Sequence, residues 1–171
     1  GTAWRCQAGQ RWHWDGVEFE VLSPPIGRYA IDGVKTNDLS CVLRIAAGAR
    51  RALIAGDIEA SSEAHLLRED ARSLAADVLV VPHHGSRTSS TQAFVAAVAP
   101  RVAVFAAGYL NRFNHPRPEV VERYVRQAAA VMRTDRSGAV SVTLGPGDAF
   151  DAEGERERNR RYWYDLPQVP P

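Results

Sequence analysis

The pattern of apolar and polar positions along the chain predicts a sheet whose later strands are separated by helices. Residues 78–81 form a continuous apolar run rich in valine and too short for a helix, which is typical of a strand buried on both faces. Residues 11–22 place Asp15-Gly16 between two short runs, which predicts a hairpin with one buried face. Further strands are predicted over residues 40–45, 51–55, 101–107, 132–134 and 140–144.

Helical spacing of apolar residues appears in three stretches between these strands. The second stretch opens with a capping-box pattern at Ser89, and the third has Pro118 in its first turn. A mixed sheet with helices on one face follows, so the predicted class is α/β. The opposite face is then expected to be apolar and accessible, or covered by another copy. The predicted helices are residues 59–74, 89–98 and 117–130.

Composition predicts a single globular domain followed by a tail. The 171 residues are 45% hydrophobic and 24% charged, which is ordinary for a globular protein. Residues 1–144 are expected to form the domain. Residues 145–171 are rich in Pro, Gly, Arg and Glu and are expected to be a tail, although Tyr162, Trp163 and Tyr164 favour packing near its end. The net charge of +1 permits a nucleic-acid partner without indicating one.

Cys6 and Cys41 are the only two cysteines, and their spacing does not suggest zinc. The favoured interpretation is two small buried apolar residues, because Cys41 lies in a strand-like run. A disulfide in an oxidising compartment is the alternative. No apolar stretch approaches the roughly 18 residues needed to span a bilayer, so the chain as given is expected to be soluble.

Carboxylate and imidazole groups follow the predicted strands at the points where those strands end. Asp57 follows the strand at 51–55, and His83 and His84 follow the strand at 78–81. Such groups can converge at the carboxyl ends of strands in an α/β sheet. Oxygen and imidazole nitrogen are ligands for Zn²⁺ or Mn²⁺. Asp57 and His84 are therefore the favoured metal ligands, and His83, His84 and His115 are the catalytic candidates.

A rim of hydroxyl, amide and guanidinium groups surrounds these histidines. Such groups can hydrogen-bond phosphate oxygens or neutralise their charge. The alternative role for the same side chains is that of helix caps and turn residues. The candidate phosphate-binding residues are Ser86, Arg87, Thr88, Ser89, Asn111 and Arg112.

Four segments together resemble a known family. The order GDIE, DVLVVPHHGSRTSS, GYLNRFNHP and RTDRSGAV over residues 37–144 is similar to the carboxyl-terminal metallo-β-lactamase-like domain of the DNA-internalisation competence protein ComEC. One departure is important, because the HxHxDH type of metal motif of the first half of that fold occurs nowhere in the chain. The resemblance therefore implies the second half of such a domain, which is half of a four-layer αββα sandwich.

This resemblance implies a function and a set of partners. The complete domain is expected to cleave phosphodiester bonds of DNA with a divalent metal, Zn or Mn, with Asp57 in the bridging position. The 171 residues alone are expected to be metal-free or weakly loaded, and inactive. The implied partners are DNA, the missing amino-terminal half of the domain and the membrane channel of a bacterial inner-membrane parent. Self-association is also expected, because half of a sandwich exposes an apolar surface.

Three alternatives remain open at this point. In the first, the chain is a degenerate, metal-free module that binds nucleic acid. In the second, it is an interaction domain whose exposed sheet docks a partner. The third is a hydrolase of small esters or lactones, because one metal centre can serve many substrates.

Overall fold

The computed structural model describes residues 4–145 and 149–161. Within them lie nine strands and five α-helices, together with short 3-10 turns at residues 26–30, 36–39, 71–74 and 82–85. The strands are β1 (Arg11–Trp14), β2 (Val17–Ser23), β3 (Val42–Ala47), β4 (Arg50–Ile54), β5 (Val78–Val80), β6 (Val102–Phe105), β7 (Ala130–Arg133), β8 (Val140–Leu144) and β9 (Phe150–Gly154). The helices are α1 (Ala60–Asp70), α2 (Gln92–Val98), α3 (Pro118–Arg126), α4 (Thr134–Ser137) and α5 (Glu155–Arg158).

Seven strands form one mixed sheet in the order of the chain, from β1 to β7. The pairs from β1 to β4 are antiparallel, and those from β4 to β7 are parallel. Parallel neighbours need crossover connections, and α1, α2 and α3 are those crossovers. The carboxyl ends of β4, β5 and β6 therefore lie at one edge of the sheet.

The main core lies between the sheet and helices α1 to α3. Alternate strand residues Leu53, Leu79 and Ala103 point to this face. Phe105 and Tyr124 are both fully buried and meet edge to face, with ring centroids 5.4 Å apart. Full burial of such side chains stabilises a fold by about 1.5–3 kcal/mol each. The helices contribute six residues to this core, namely Leu66, Phe94, Val95, Val98, Val120 and Tyr124.

The opposite face of the sheet is covered at one end only. The β8–β9 hairpin packs Val142 and Phe150 against Val78 and Val102. Across the antiparallel strands, side chains on this same face are more exposed, namely Trp12 at 44%, Trp14 at 69% and Ile54 at 37%. Among the described residues, an apolar area on the β1–β4 half of this face is therefore open, whereas the sequence predicted that the whole face would be accessible.

Several predicted elements form where expected, and others differ. The hairpin at 11–22, the buried strand at 78–81 and the three crossover helices are confirmed. However, α2 begins at Gln92 with Thr91 as its cap, so the capping role predicted for Ser89 was wrong. The predicted strand at 140–144 forms, but it pairs with β9 in a separate two-stranded sheet and not with the main sheet. Strand β9 lies beyond residue 144, where a tail was expected, and residues 162–164 are outside the described ranges.

The favoured interpretation of the cysteines was also wrong. Cys6 and Cys41 are joined in a disulfide with their Cα atoms 5.9 Å apart, which is within the usual range. Cys41 is exposed and precedes β3 rather than lying within it. The bond ties the segment before β1 to the start of β3, across 35 residues.

No helix among the described residues is both long and apolar enough to cross a membrane.

Candidate active site

The candidate site lies at the sheet edge where β4, β5 and β6 end. Three loops meet there, at residues 56–59, 82–90 and 108–116. Each follows one strand of the parallel half of the sheet, so parallel pairing alone brings them together. The loops carry Asp57, then His83 and His84, then His115.

The turn after β5 holds three successive residues in the left-handed region. The φ angles are 49° at His83, 55° at His84 and 80° at Gly85. Left-handed backbone costs a residue with a side chain about 1–2 kcal/mol, so this turn persists only because its surroundings hold it. The amide of His83 donates to the carbonyl of Gly56 at 2.9 Å, and the amide of Arg117 donates to the carbonyl of Gly85 at 3.0 Å.

Gly85 is the point at which this turn contacts the rest of the site. A Cβ atom there would lie 2.7 Å from Cβ of Pro116 and 2.8 Å from the ring of Phe105. Both distances are shorter than real Cβ contacts allow. The absent side chain therefore lets the histidine turn pack directly against the residue that follows His115.

Four side chains of types that can bind a metal or transfer a proton converge as a result. His84 Nε2 lies 3.5 Å from Asp57 Oδ1, and both side chains are about half exposed, at 49% and 45%. The ring centroid of His83 is 6.4 Å from that of His84 and 5.9 Å from that of His115. The structure thus brings together the predicted metal ligands and the three predicted catalytic histidines.

His83 turns its Nδ1 atom towards α1 rather than towards Asp57. Nδ1 lies 3.3 Å from Thr88 Oγ1 and 3.7 Å from Glu59 Oε1. Glu59 in turn accepts a hydrogen bond from Lys35 at 2.9 Å, which is the main cause of its lowered pKa. Sequence reasoning missed Glu59, although it is the last residue of the GDIE segment that carries Asp57.

Burial sets the ionisation of His115. It lowers the pKa of the imidazole, and the neighbouring His83, Arg117 and His84 lower it further in that order. His115 is consequently neutral near pH 7 and has a nitrogen lone pair free of a proton. This is the state that accepts a proton or binds a metal.

The predicted phosphate-binding residues fall into two groups. The side chains of Ser86, Ser89 and Asn111 make hydrogen bonds within their own loops. Ser89 is buried and donates to the carbonyl of Pro82 at 2.9 Å, and Asn111 donates to the carbonyl of His115 at 2.6 Å. Ser86 is also buried, with its hydroxyl 3.1 Å from that of Thr88.

The other three residues reach the solvent. Thr88, Arg87 and Arg112 are exposed. Arg87 donates from Nε to Glu119 at 2.8 Å in a surface ion pair, which is worth little and is easily exchanged for another anion. Arg87 and Arg112 therefore remain available to a ligand, whereas the hydroxyl of Thr88 already lies 3.1 Å from Ser86 Oγ and 3.3 Å from His83 Nδ1.

A buried carboxylate fixes the far end of the histidine loop. Glu63 is fully buried and accepts hydrogen bonds from the amides of Ser90 and Thr91, at 2.5 and 2.7 Å. Arg123 donates to the carbonyl of Ser90, and the Tyr124 hydroxyl donates to Ser90 Oγ, at 2.7 and 2.8 Å. Burial raises the pKa of both Glu63 and Tyr124. This network holds Ser90, whose φ is 58°.

The described residues do not by themselves complete a metal site. Asp57 and His84 offer two donors of suitable chemistry, but residues 4–145 and 149–161 contain no group of three His, Cys, Asp or Glu side chains placed to hold an ion. A catalytic zinc site in proteins has three protein ligands. The pair therefore fits a metal only as part of a larger donor set.

Comparison with known proteins identifies relatives of this chain. No family model matches the chain. It is 39% identical to the competence protein ComA of Neisseria gonorrhoeae over 161 residues, which cover 94% of this chain and 22% of that protein. It is 38% identical to Recombination protein 2 of Haemophilus influenzae, covering 81% and 17%. The chain is a competence-protein family region. ComE operon protein 3 of Bacillus subtilis is 34% identical, covering 72% and 15%.

The competence-protein region thus spans about a fifth or less of the length of these relatives. At most 10 of its 171 residues, the difference from 161, lie outside the match to the Neisseria protein. The segment from Asp57 to His115 is therefore inside that match.

Replacing Gly85 by alanine tests the contact that holds the histidine turn. We expect Gly85→Ala to lower the free energy of unfolding by about 2–5 kcal/mol, because the methyl group adds left-handed strain to overpacking. Urea unfolding measures this change. The matched control is Gly27→Ala, where no atom lies within 4 Å of the added Cβ, and it should change stability by about 0.5 kcal/mol or less. Equal effects of the two would contradict the role given to Gly85.

Glu63 should make stability depend on pH. Its pKa is raised above the ordinary 4.5 by burial, so the folded state holds its proton more tightly than the unfolded chain does. The contribution is fully present below pH 4.5 and is lost as pH rises through the folded pKa. Relative to Glu63→Gln, the parent should therefore lose stability as pH rises from about 4, measured by urea unfolding at several pH values. Glu119→Gln should give the opposite slope, because the pKa of Glu119 is lowered. A flat Glu63→Gln difference would refute the assignment.

Proposed function

We propose that the complete parent protein uses this region to hydrolyse phosphodiester bonds of DNA during DNA uptake. The observation that carries the proposal is the convergence of Asp57 and three histidines at the ends of three parallel strands. Competence and recombination appear in the names of the relatives, which favours DNA as the substrate.

The Asp57–His84 pair would supply two ligands to a divalent metal, either Zn or Mn, and the remaining ligands would come from the parent outside this chain. Such a metal makes water a stronger nucleophile and neutralises charge on phosphate. The half-exposed state of both side chains supports this role, because it leaves their donor atoms open towards the solvent.

The other residues would bind the substrate and move protons. His115 is neutral and can accept a proton from the attacking water. His83 is held through Nδ1 by Thr88 and Glu59, which orients its ring. Arg87, Thr88 and Arg112 are the exposed groups for the phosphate, whereas Ser86, Ser89 and Asn111 hold the loops that present them.

The disulfide supports a location for this region. Disulfides persist in oxidising compartments and are rare in the cytosol. The Cys6–Cys41 bond therefore favours a domain of a bacterial inner-membrane protein that lies on the side of the membrane away from the cytosol.

A nuclease assay on the complete parent with Mn²⁺ or Zn²⁺ tests the hydrolase. Asp57→Ala should reduce cleavage of DNA by at least about 100-fold, because loss of a metal ligand costs more than the loss of its supporting partners. The matched control is Asp15→Asn in the exposed β1–β2 turn, which should leave cleavage unchanged. Equal cleavage by Asp57→Ala and the parent would remove Asp57 from the mechanism. We expect the isolated 171 residues to be inactive, with little bound metal after dialysis.

A second candidate function is docking, and the open half of the sheet favours it. Trp12 stacks on Phe19 with ring centroids 5.1 Å apart and remains 44% exposed, and Trp14 is 69% exposed. We propose that this face binds another part of the parent protein, namely the amino-terminal half that the resemblance to a metallo-β-lactamase-like domain implies. A large exposed apolar patch is typical of an interaction site.

Analytical ultracentrifugation of the isolated chain tests this docking face. Without its partner half, we expect the chain to associate with itself as concentration rises, and the double change Trp12→Ser and Trp14→Ser to weaken that association. Trp4→Ser is the control, because Trp4 is 83% exposed but lies before β1. A monomer at all concentrations would argue against an accessible docking face.

A further inference from the structure

The loop between β6 and α3 displays apolar side chains that are largely exposed to the solvent. Tyr109 is 72% exposed, Leu110 is 85% exposed and Phe113 is 57% exposed. The loop also carries His115 of the candidate site. Exposed aromatic groups concentrated in one loop beside a polar site indicate a binding surface.

This loop is nevertheless held in one shape by Asn111. The amide nitrogen of Asn111 donates to the carbonyls of Gly108 and His115 at 3.1 and 2.6 Å, and its oxygen accepts from the amide of His115 at 2.9 Å. The backbone amide of Asn114 also donates to the carbonyl of Asn111 at 3.2 Å. The aromatic rings are therefore presented from a preorganised loop, which reduces the entropy lost on binding.

The planar side chains of this loop are neighbours of one another and of the histidines. The guanidinium carbon of Arg112 lies 4.9 Å from the ring centroid of Phe113. The rings of Phe113 and His115 are nearly parallel, at 27°, with centroids 5.9 Å apart. The next ring is His83, 5.9 Å from His115. A planar ligand on Phe113 would consequently lie directly beside the candidate catalytic groups.

We infer that this loop is a base-stacking platform for single-stranded DNA, an inference that rests on the proposed function and specifies its substrate. Unpaired bases offer free π-faces, and proteins bind single strands by stacking them on aromatic side chains within positively charged surroundings. Tyr109 and Phe113 are the stacking groups. Arg112 and Arg87 supply charge for the phosphates on either side.

A single strand fits this surface better than an apolar protein partner. The polar residues Asn111 and Arg112 stand between Leu110 and Phe113 in this loop, so the exposed aromatic groups have a charged neighbour. Arg112 also remains exposed beside the ring, where a phosphate can reach it. A duplex would bury its base faces in its own stack and leave Tyr109 and Phe113 without a partner.

Fluorescence anisotropy with a labelled oligothymidine and the 171-residue chain tests the inference. Phe113→Ala and Tyr109→Ala should each weaken binding by about 5- to 150-fold, because stacking contributes about 1–3 kcal/mol per base. Phe113→Trp should retain binding. Trp4→Ala is the matched control, because it removes an exposed aromatic that lies before β1, away from both proposed binding surfaces. Urea unfolding verifies that each variant is folded, which is expected for exposed side chains.

Two further probes separate bases from other ligands. On an abasic strand of equal length and charge, Phe113→Ala should have no effect, and the same holds for a duplex. Unchanged oligothymidine binding by both alanine variants would overturn the inference, as would an equal loss on the abasic strand. Binding by the 171-residue chain that needs Phe113, with no cleavage by the complete parent in Mn²⁺ or Zn²⁺, would leave the platform intact and reject the hydrolase. Cleavage by the parent that is indifferent to Phe113 would do the reverse.

Discussion

The close approach of Gly85 to Phe105 and Pro116 is the constraint on which the candidate site depends. It joins the turn after β5 to the end of β6 and to the loop that carries His115. Any side chain at position 85 would force these segments apart, and with them the imidazoles of His83 and His115. The spacing of the histidines is therefore set by a backbone contact rather than by contacts between the rings themselves.

Buried and half-buried polar groups on the protein side of the loops keep this arrangement in place. Glu63 and Arg123 hold the backbone near Ser90, and Asn111 holds the loop of His115. Such bonds are strong in a low-dielectric interior, and each unpaired partner would be costly there. Positive φ angles at His83, His84 and Ser90 are thus stabilised from the protein side, while the Asp57–His84 pair stays half exposed on the solvent side.

Patterns of local origin could be predicted from the sequence, whereas features set by tertiary contact could not. The valines of β5 and the Asp15-Gly16 turn carry their own signals, and the strand ends placed Asp57 and the histidines together. The predicted hairpin at 11–22 does not reveal that Glu20 is buried between Arg11 and Arg44, on the side of the sheet that faces the helices. Thr91 rather than Ser89 caps α2, since Ser89 bonds to Pro82 instead. The cysteine pair and Glu59 depended on distant chain segments, which a linear pattern does not reveal.

The alternation of strands and crossover helices has a consequence for how the site comes into existence. The antiparallel strands from β1 to β4 pair with near neighbours in the chain, but Asp57, His84 and His115 are separated by two crossovers. Parallel pairing of distant segments is slow, because loop closure precedes the contacts that offset it. The hairpin half of the sheet can therefore form while the histidines are still apart, and the candidate site is not assembled until β6 has docked beside β5.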